Sequence, residues 1–188
     1  MNVLLPALQA FPAMRYAAFL RAVNLGRNRR VTSERLRALF EEVGAEDVAT
    51  FRTSGNVVFE APRDMVRDLE QHLERELGHE MVIFLRTASE VKEMAGRTPF
   101  PAEDVEASKG KLQVALFDRR PTAAAKKKAL ALATDDDRLS FGKRELYWLP
   151  SGGTIESELD RKSLDKLLGP TTMRTKGTIE LLAAKYFA

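Results

Sequence analysis

Residues 16–26, YAAFLRAVNLG, together with 54–60, SGNVVFE, decide the fold of this chain. The run YAAFLRAV is apolar on both faces, as a central strand requires. NVVFE reads as a second strand, entered through a tight turn at Ser54–Gly55 from a strand over Val48–Thr53. Between them, Leu36, Leu39, Phe40 and Val43 recur at helical spacing, with Ser33 as N-cap and Gly44 past the end. Beyond NVVFE, Pro62 suits a first helical turn, and Met65, Val66, Leu69, Leu73 and Leu77 form a stripe that closes at Gly78. Met81–Leu85 is a further apolar strand. The order β-α-β-β-α-β is that of a ferredoxin-like unit.

The pattern then restarts. Thr87 and Glu90 have capping-box spacing and open a short helix that ends at Gly96. Residues 99–110, PFPAEDVEASKG, read as a polar linker. Leu112, Val114 and Leu116 alternate as a strand, and Pro121 opens an alanine- and lysine-rich helix to about Ala133. Leu139/Phe141 and Leu146/Trp148 mark two strands joined through Gly142–Lys143–Arg144. Two helices follow, one carrying Leu164, Leu167 and Leu168, the other Ile179, Leu182, Ala183 and Tyr186. This second half repeats β-α-β-β-α without a clear final strand. The expected fold class is therefore α+β, with tandem ferredoxin-like halves, antiparallel sheets and C-terminal helices. The expected divisions are an N-terminal extension at 1–13, a first half at 14–98, the linker at 99–110 and a second half at 111–188.

Composition bounds the chemistry. A chain of 188 residues with 44% hydrophobic and 30% charged residues can bury a core. No apolar run approaches the ~18 residues that span a bilayer, so no membrane partner is expected and the cytoplasm is the expected location. Cysteine is absent, which excludes disulfides and thiol catalysis. His72 and His79 form no metal-ligand spacing, and no motif calls for a cofactor. Exposed strand edges could pair with a second chain, but no feature selects an oligomeric state.

The net charge of +3 conceals an asymmetry. Arg15 to Arg37 holds seven arginines and one acid, whereas Glu41 to Glu80 holds eleven acids and four arginines. In a β-α-β-β-α-β sheet the end of the first strand lies beside the start of the third. That topology brings the loop Asn24–Leu25–Gly26–Arg27 next to Ser54–Gly55–Asn56. It likewise brings Asp118–Arg119–Arg120 next to Gly142–Lys143–Arg144. Arginine's planar fork matches phosphate or carboxylate, and Arg27, Arg29 and Arg30 precede a helix N-terminus that also favours anions. Arg29 and Arg30 are equally explained as a solvated surface. Arg21, inside an apolar strand, must be paired or face a cleft. Ser151–Gly152–Gly153–Thr154 reads as a turn, and Lys126–Lys127–Lys128 as a solvated helix face. The strand NVVFE lacks the glycine–aromatic pattern of RNA-recognition sheets.

These residues carry a resemblance. YAAFLRAVNLG, then L-x-x-L-F-x-x-x-G (36–44), then V-x-T-x-x-x-SGNVVF (48–59) and LDKLLGPTTMRTKGTIELL (164–182) resemble the bacterial Domain of Unknown Function 1697 family. The resemblance implies the tandem ferredoxin-like fold and functional weight on Arg21, Asn24, Gly26, Ser54, Gly55, Asn56 and Arg174. It supplies no reaction. The chain departs from the family pattern at Arg27, where a glycine is usual, at Thr32–Ser33, and at Thr175–Lys176, where asparagine and tryptophan are usual.

Three functions fit this reading. The first is a binder of a phosphate-bearing small molecule or nucleic acid at the edge formed by the strand 1 loop and the hairpin, using Arg21, Asn24, Gly26, Arg27, Ser54, Gly55, Asn56 and Arg174. The second is an enzyme acting on a small acidic or phosphorylated metabolite, with no acid–base pair assigned. The third is a scaffold without a ligand.

Overall fold

A computed structural model describes residues 12–21, 31–52 and 55–188. Among them the chain is α+β, with eight strands and seven helices. The first sheet contains β1 (Met14–Arg21), β2 (Glu46–Thr50), β3 (Asn56–Ala61) and β4 (Val82–Thr87), with α1 (Ser33–Glu41) and α2 (Val66–Leu77) between strands. Its order is β2-β3-β1-β4, antiparallel throughout. α3 (Ala88–Gly96) and α4 (Ala102–Ala107) lead to a second sheet. This contains β5 (Gln113–Phe117), β6 (Asp137–Phe141), β7 (Glu145–Pro150) and β8 (Thr171–Thr175), in the order β6-β7-β5-β8. Its helices are α5 (Ala123–Leu130) and α6 (Arg161–Leu168), and α7 (Lys176–Tyr186) closes the chain.

The two-faced strand YAAFLRAV is explained by layering. Tyr16, Ala18 and Leu20 pack with Val57 and Phe59 against Leu36, Leu39 and Phe40 of α1 and Leu69 and Leu73 of α2. Ala17 and Phe19 point the other way, with Val58 and Phe84, onto Val114, Leu116, Tyr147 and Leu149 of the second sheet. Val91 and Met94 of α3 and Ile179 and Leu182 of α7 complete that inter-sheet layer. The far face of the second sheet, Ala115, Phe117, Leu146 and Trp148, is covered by Ala129 of α5 and Leu164 of α6. The layers thus run helices, sheet, sheet, helices. Each fully buried large side chain contributes about 1.5–3 kcal/mol.

The structure corrects the sequence reading in four places. A final strand, β8, does exist in the second half. Its buried positions are Thr172 and Arg174, while Met173 is exposed. The polarity is the reverse of what a hydrophobic-alternation reading looks for. Within 99–110 a short helix, α4, occupies part of the stretch read as linker. The N-cap of α1 is Thr32, whose hydroxyl accepts from the Arg35 N–H, rather than Ser33. α2 begins at Val66, four residues past Pro62, because the Asp64 carboxylate accepts the Val66 N–H at 2.8 Å and starts the helix there.

Candidate functional site

Two buried arginines join the sheets. Arg174 leaves β8 and enters the first half. Its Nε donates to Asn56 Oδ1 at 2.6 Å, and one terminal nitrogen donates to Thr172 Oγ1 and the Met173 carbonyl, both at 2.8 Å. The other reaches the carbonyls of Leu20 at 3.0 Å and Gly55 at 3.3 Å. A guanidinium has five N–H donors, and all five are directed at these protein oxygens. Its carbon also lies 5.9 Å from the Phe19 ring centroid. Desolvation pulls its pKa down to about 10, so it stays charged near neutrality.

Arg86 does the reverse from β4. Fully buried, it donates through Nε to Glu145 Oε1 at 3.1 Å and through a terminal nitrogen to the carbonyls of Phe117 and Arg144, both at 2.9 Å. The strand registers show that the two positions correspond. Ala17 pairs with Arg86 as Val114 pairs with Arg174, and Phe19 pairs with Asn56 as Leu116 pairs with Glu145. Leu20 and Phe117 are then equivalent, and each bonds through its own N–H to the equivalent carbonyl, Gly55 or Arg144. One difference matters. The arginine at one end meets a carboxylate, and the arginine at the other meets an amide.

Of the residues singled out in the sequence, Gly55, Asn56 and Arg174 are brought into direct contact. Arg21 adjoins them as the exposed last residue of β1, next to Leu20. Asn24, Gly26, Arg27 and Ser54 lie outside the described residues. Asn56 also closes its own turn, with Nδ2 on the Phe51 carbonyl at 3.0 Å.

The second basic edge does not behave as expected. Lys143 is paired with Glu93 and Arg144 with Glu90, each at 2.6 Å, and Arg144 also donates to the carbonyls of Asp118 and Leu85. Arg119 is exposed and 3.5 Å from Asp118. The acids of α3 therefore neutralise that turn. α7 has no such acids at the matching positions. Thr87 and Thr175 cap α3 and α7 in the same way, so Glu90 and Glu93 correspond to Thr178 and Leu181.

Glu90 is worth a measurement. Burial raises its pKa, but the Thr87 N–H at 2.9 Å and the Arg144 guanidinium outweigh this and hold it below the ordinary value. A carboxylate depressed on folding contributes stability above its unfolded pKa of about 4.3 and loses it as pH falls through the lower folded value. The Glu90→Gln variant is expected to have a lower urea midpoint at pH 7, with the difference from wild type shrinking in acid. A difference that persists unchanged at pH 3 would assign the effect to packing instead.

At the open end lies a groove of about 550 Å³. It is lined by Arg52 of the β2–β3 turn, Arg97 and Phe100 after α3, Lys111 and Leu112 at the start of β5, and Lys176 at the start of α7. Glu106 and Glu180 are its acids. Thr175, the residue after Arg174 in β8, also lines it. Sequence reasoning missed Arg86, Glu145, Arg52, Arg97 and Lys111, and met Lys176 only as a departure from the family pattern. A signal for the arginines was present in the paired strand ends Leu85–Arg86–Thr87 and Met173–Arg174–Thr175.

The Ser151–Thr154 turn is unsuited to phosphate, because Asp135, Asp136, Asp137, Glu156 and Glu158 surround it. Asp137 is committed to Trp148 Nε1 at 2.6 Å and Ser157 Oγ at 2.8 Å. His72 bridges Glu42 and Arg75 on the surface. No helix among the described residues is long and apolar enough to cross a membrane.

Comparison with known proteins bears on the fold. The model of a family described as "Protein of unknown function (DUF1697)" matches residues 14–147. A solved structure of a conserved bacterial protein from Streptococcus pneumoniae is similar, with a TM-score of 0.67 and 19% identity, covering 92% of this chain and 97% of that one. No curated protein matches the chain at a significant level.

Proposed function

Because the chain belongs to the DUF1697 family, whose description assigns no reaction, we propose from the geometry that it is a non-catalytic binder of a phosphate-bearing ligand. The site is the groove between the β2–β3 turn, the start of β5 and α7. One observation carries this reading. Arg52, Arg97, Lys111 and Lys176 face Glu106 and Glu180 there, while the equivalent turn at the other end is sealed by Glu90 and Glu93. The excess of positive charge at one end of a nearly symmetric frame favours an anion from outside the chain. Arg21, the exposed last residue of β1, belongs to the same reading, as do the sequence candidates Asn24, Gly26, Arg27 and Ser54, which lie outside the described residues. Arg174 and Asn56 hold the two halves in register beside the ligand. The reading also takes each half as a ferredoxin-like unit, supported by the shared strand order, and places the protein in the cytoplasm, where phosphorylated metabolites are held.

Thermal unfolding with adenosine 5′-monophosphate and with a ten-residue oligothymidylate tests the proposal. A ligand at about a hundred times its Kd stabilises by about 2.7 kcal/mol, which raises Tm by roughly 5–11 °C for a chain of this size. Binding of the oligonucleotide with a steep salt dependence would identify the nucleic-acid form of the reading. No rise with either probe at low salt would overturn it.

A further inference from the structure

Resting on that reading, we infer that Arg52 and Lys111, one from each half, are the paired phosphate donors, and that the ligand is a phosphomonoester with a compact apolar body. The other two cations of the groove are already committed. Arg97 donates to the Phe141 carbonyl at 2.8 Å and lies over the Tyr147 ring, and the Lys176 ammonium donates to the Ala95 carbonyl and to Glu180. Among the described residues, Arg52 and Lys111 are exposed and contact no acid, and Arg52 lies over the Phe51 ring at 5.6 Å with no hydrogen-bond acceptor for its guanidinium. Both also sit in left-handed backbone, with φ of 57° and 58°. Only one other non-glycine residue among those described, Asp47, has positive φ. Glycine would adopt this conformation more readily, so a long cation there is kept against a local conformational cost.

Charge and size narrow the ligand. Four cations against two acids leave a local excess of two, which matches a phosphomonoester at neutral pH. Leu112 and the half-exposed Leu181 supply an apolar wall. The groove's 550 Å³ lies within the ~300–1,000 Å³ of small-molecule sites. An extended single strand would instead need successive free aromatic faces, and the one aromatic ring in this groove, Phe100, already has Arg138 over it at 5.7 Å.

The test is calorimetric titration of the full chain with inorganic phosphate, phenyl phosphate and adenosine 5′-monophosphate. Wild type, Arg52→Gly and Lys111→Gly are compared. Glycine removes each cation but keeps its backbone conformation, so the Tm of both variants without ligand should be no lower than that of wild type. The monoesters should bind at least ten-fold more tightly than inorganic phosphate. Each variant should lose roughly ten- to a hundred-fold in monoester affinity, the loss of one charge-assisted hydrogen bond. Equal binding of inorganic phosphate and monoesters, or unchanged affinity in both variants, would overturn this inference and leave the phosphate site standing. Absence of binding by all three probes, and by the oligonucleotide, would remove the site itself.

Discussion

Replacing Arg86 with methionine is expected to lower stability by about 3–5 kcal/mol, the usual cost of removing one partner of a buried ion pair. Arg86 is fully buried, and burial depresses its pKa while Glu145 opposes that shift. Methionine fills similar volume but donates nothing. The Glu145 carboxylate would be left in the inter-sheet layer with its charge uncompensated, the Phe117 carbonyl would lose its guanidinium donor, and the Arg144 carbonyl would keep only the Phe117 N–H. Urea unfolding should show a lower midpoint with unchanged m, because the arginine ties together sheets that share one core. The paired variant Arg86→Met/Glu145→Leu should lose less than the sum of the two single changes, since it removes the stranded charge. Arg86→Lys should not rescue, because one ammonium cannot replace a planar fork serving several acceptors. A loss below 1 kcal/mol for Arg86→Met would show that the brace contributes little.

Arg174→Met is the matching experiment at the open end, with an expected loss of about 2–4 kcal/mol. The reason is different. Asn56 Oδ1 and the Leu20 carbonyl would lose a buried charged donor, at about 1–3 kcal/mol for an acceptor left unsatisfied, whereas the Gly55 carbonyl keeps the Leu20 N–H. Against that, removing the guanidinium relieves the desolvation that holds its pKa down to about 10. The acceptors named for it are an amide, a hydroxyl and backbone carbonyls, which carry no formal charge to strand. The loss should therefore be smaller than for Arg86→Met in the same urea series. The opposite ranking would mean that the amide and carboxylate ends of the frame are energetically alike.

Much of the frame was legible from spacing alone. The two-faced apolar run of β1, the helical stripes of α1 and α2, and the Thr87–Glu90 capping box each declare their structure locally. β8 did not, because Thr172 and Arg174 are its buried side chains and hydrophobic patterning treats them as surface. The site was half legible. Chain topology alone places Asn56 beside the end of β1, and the resemblance pointed to Arg174. Their bond to each other joins residues 118 apart in sequence, and no local pattern encodes it.

The same division holds for the charges. Lys143 and Arg144 read from sequence as a free basic turn, yet Glu93 and Glu90, 50 and 54 residues earlier, neutralise them. Local sequence determined which segments are strands and helices and which faces are apolar, since those follow from periodicity within a few residues. Only the tertiary structure decided which cations are paired inside the molecule and which face solvent. Pairing depends on distances between groups remote in the chain, and Coulomb energy and desolvation are set by those distances and by burial.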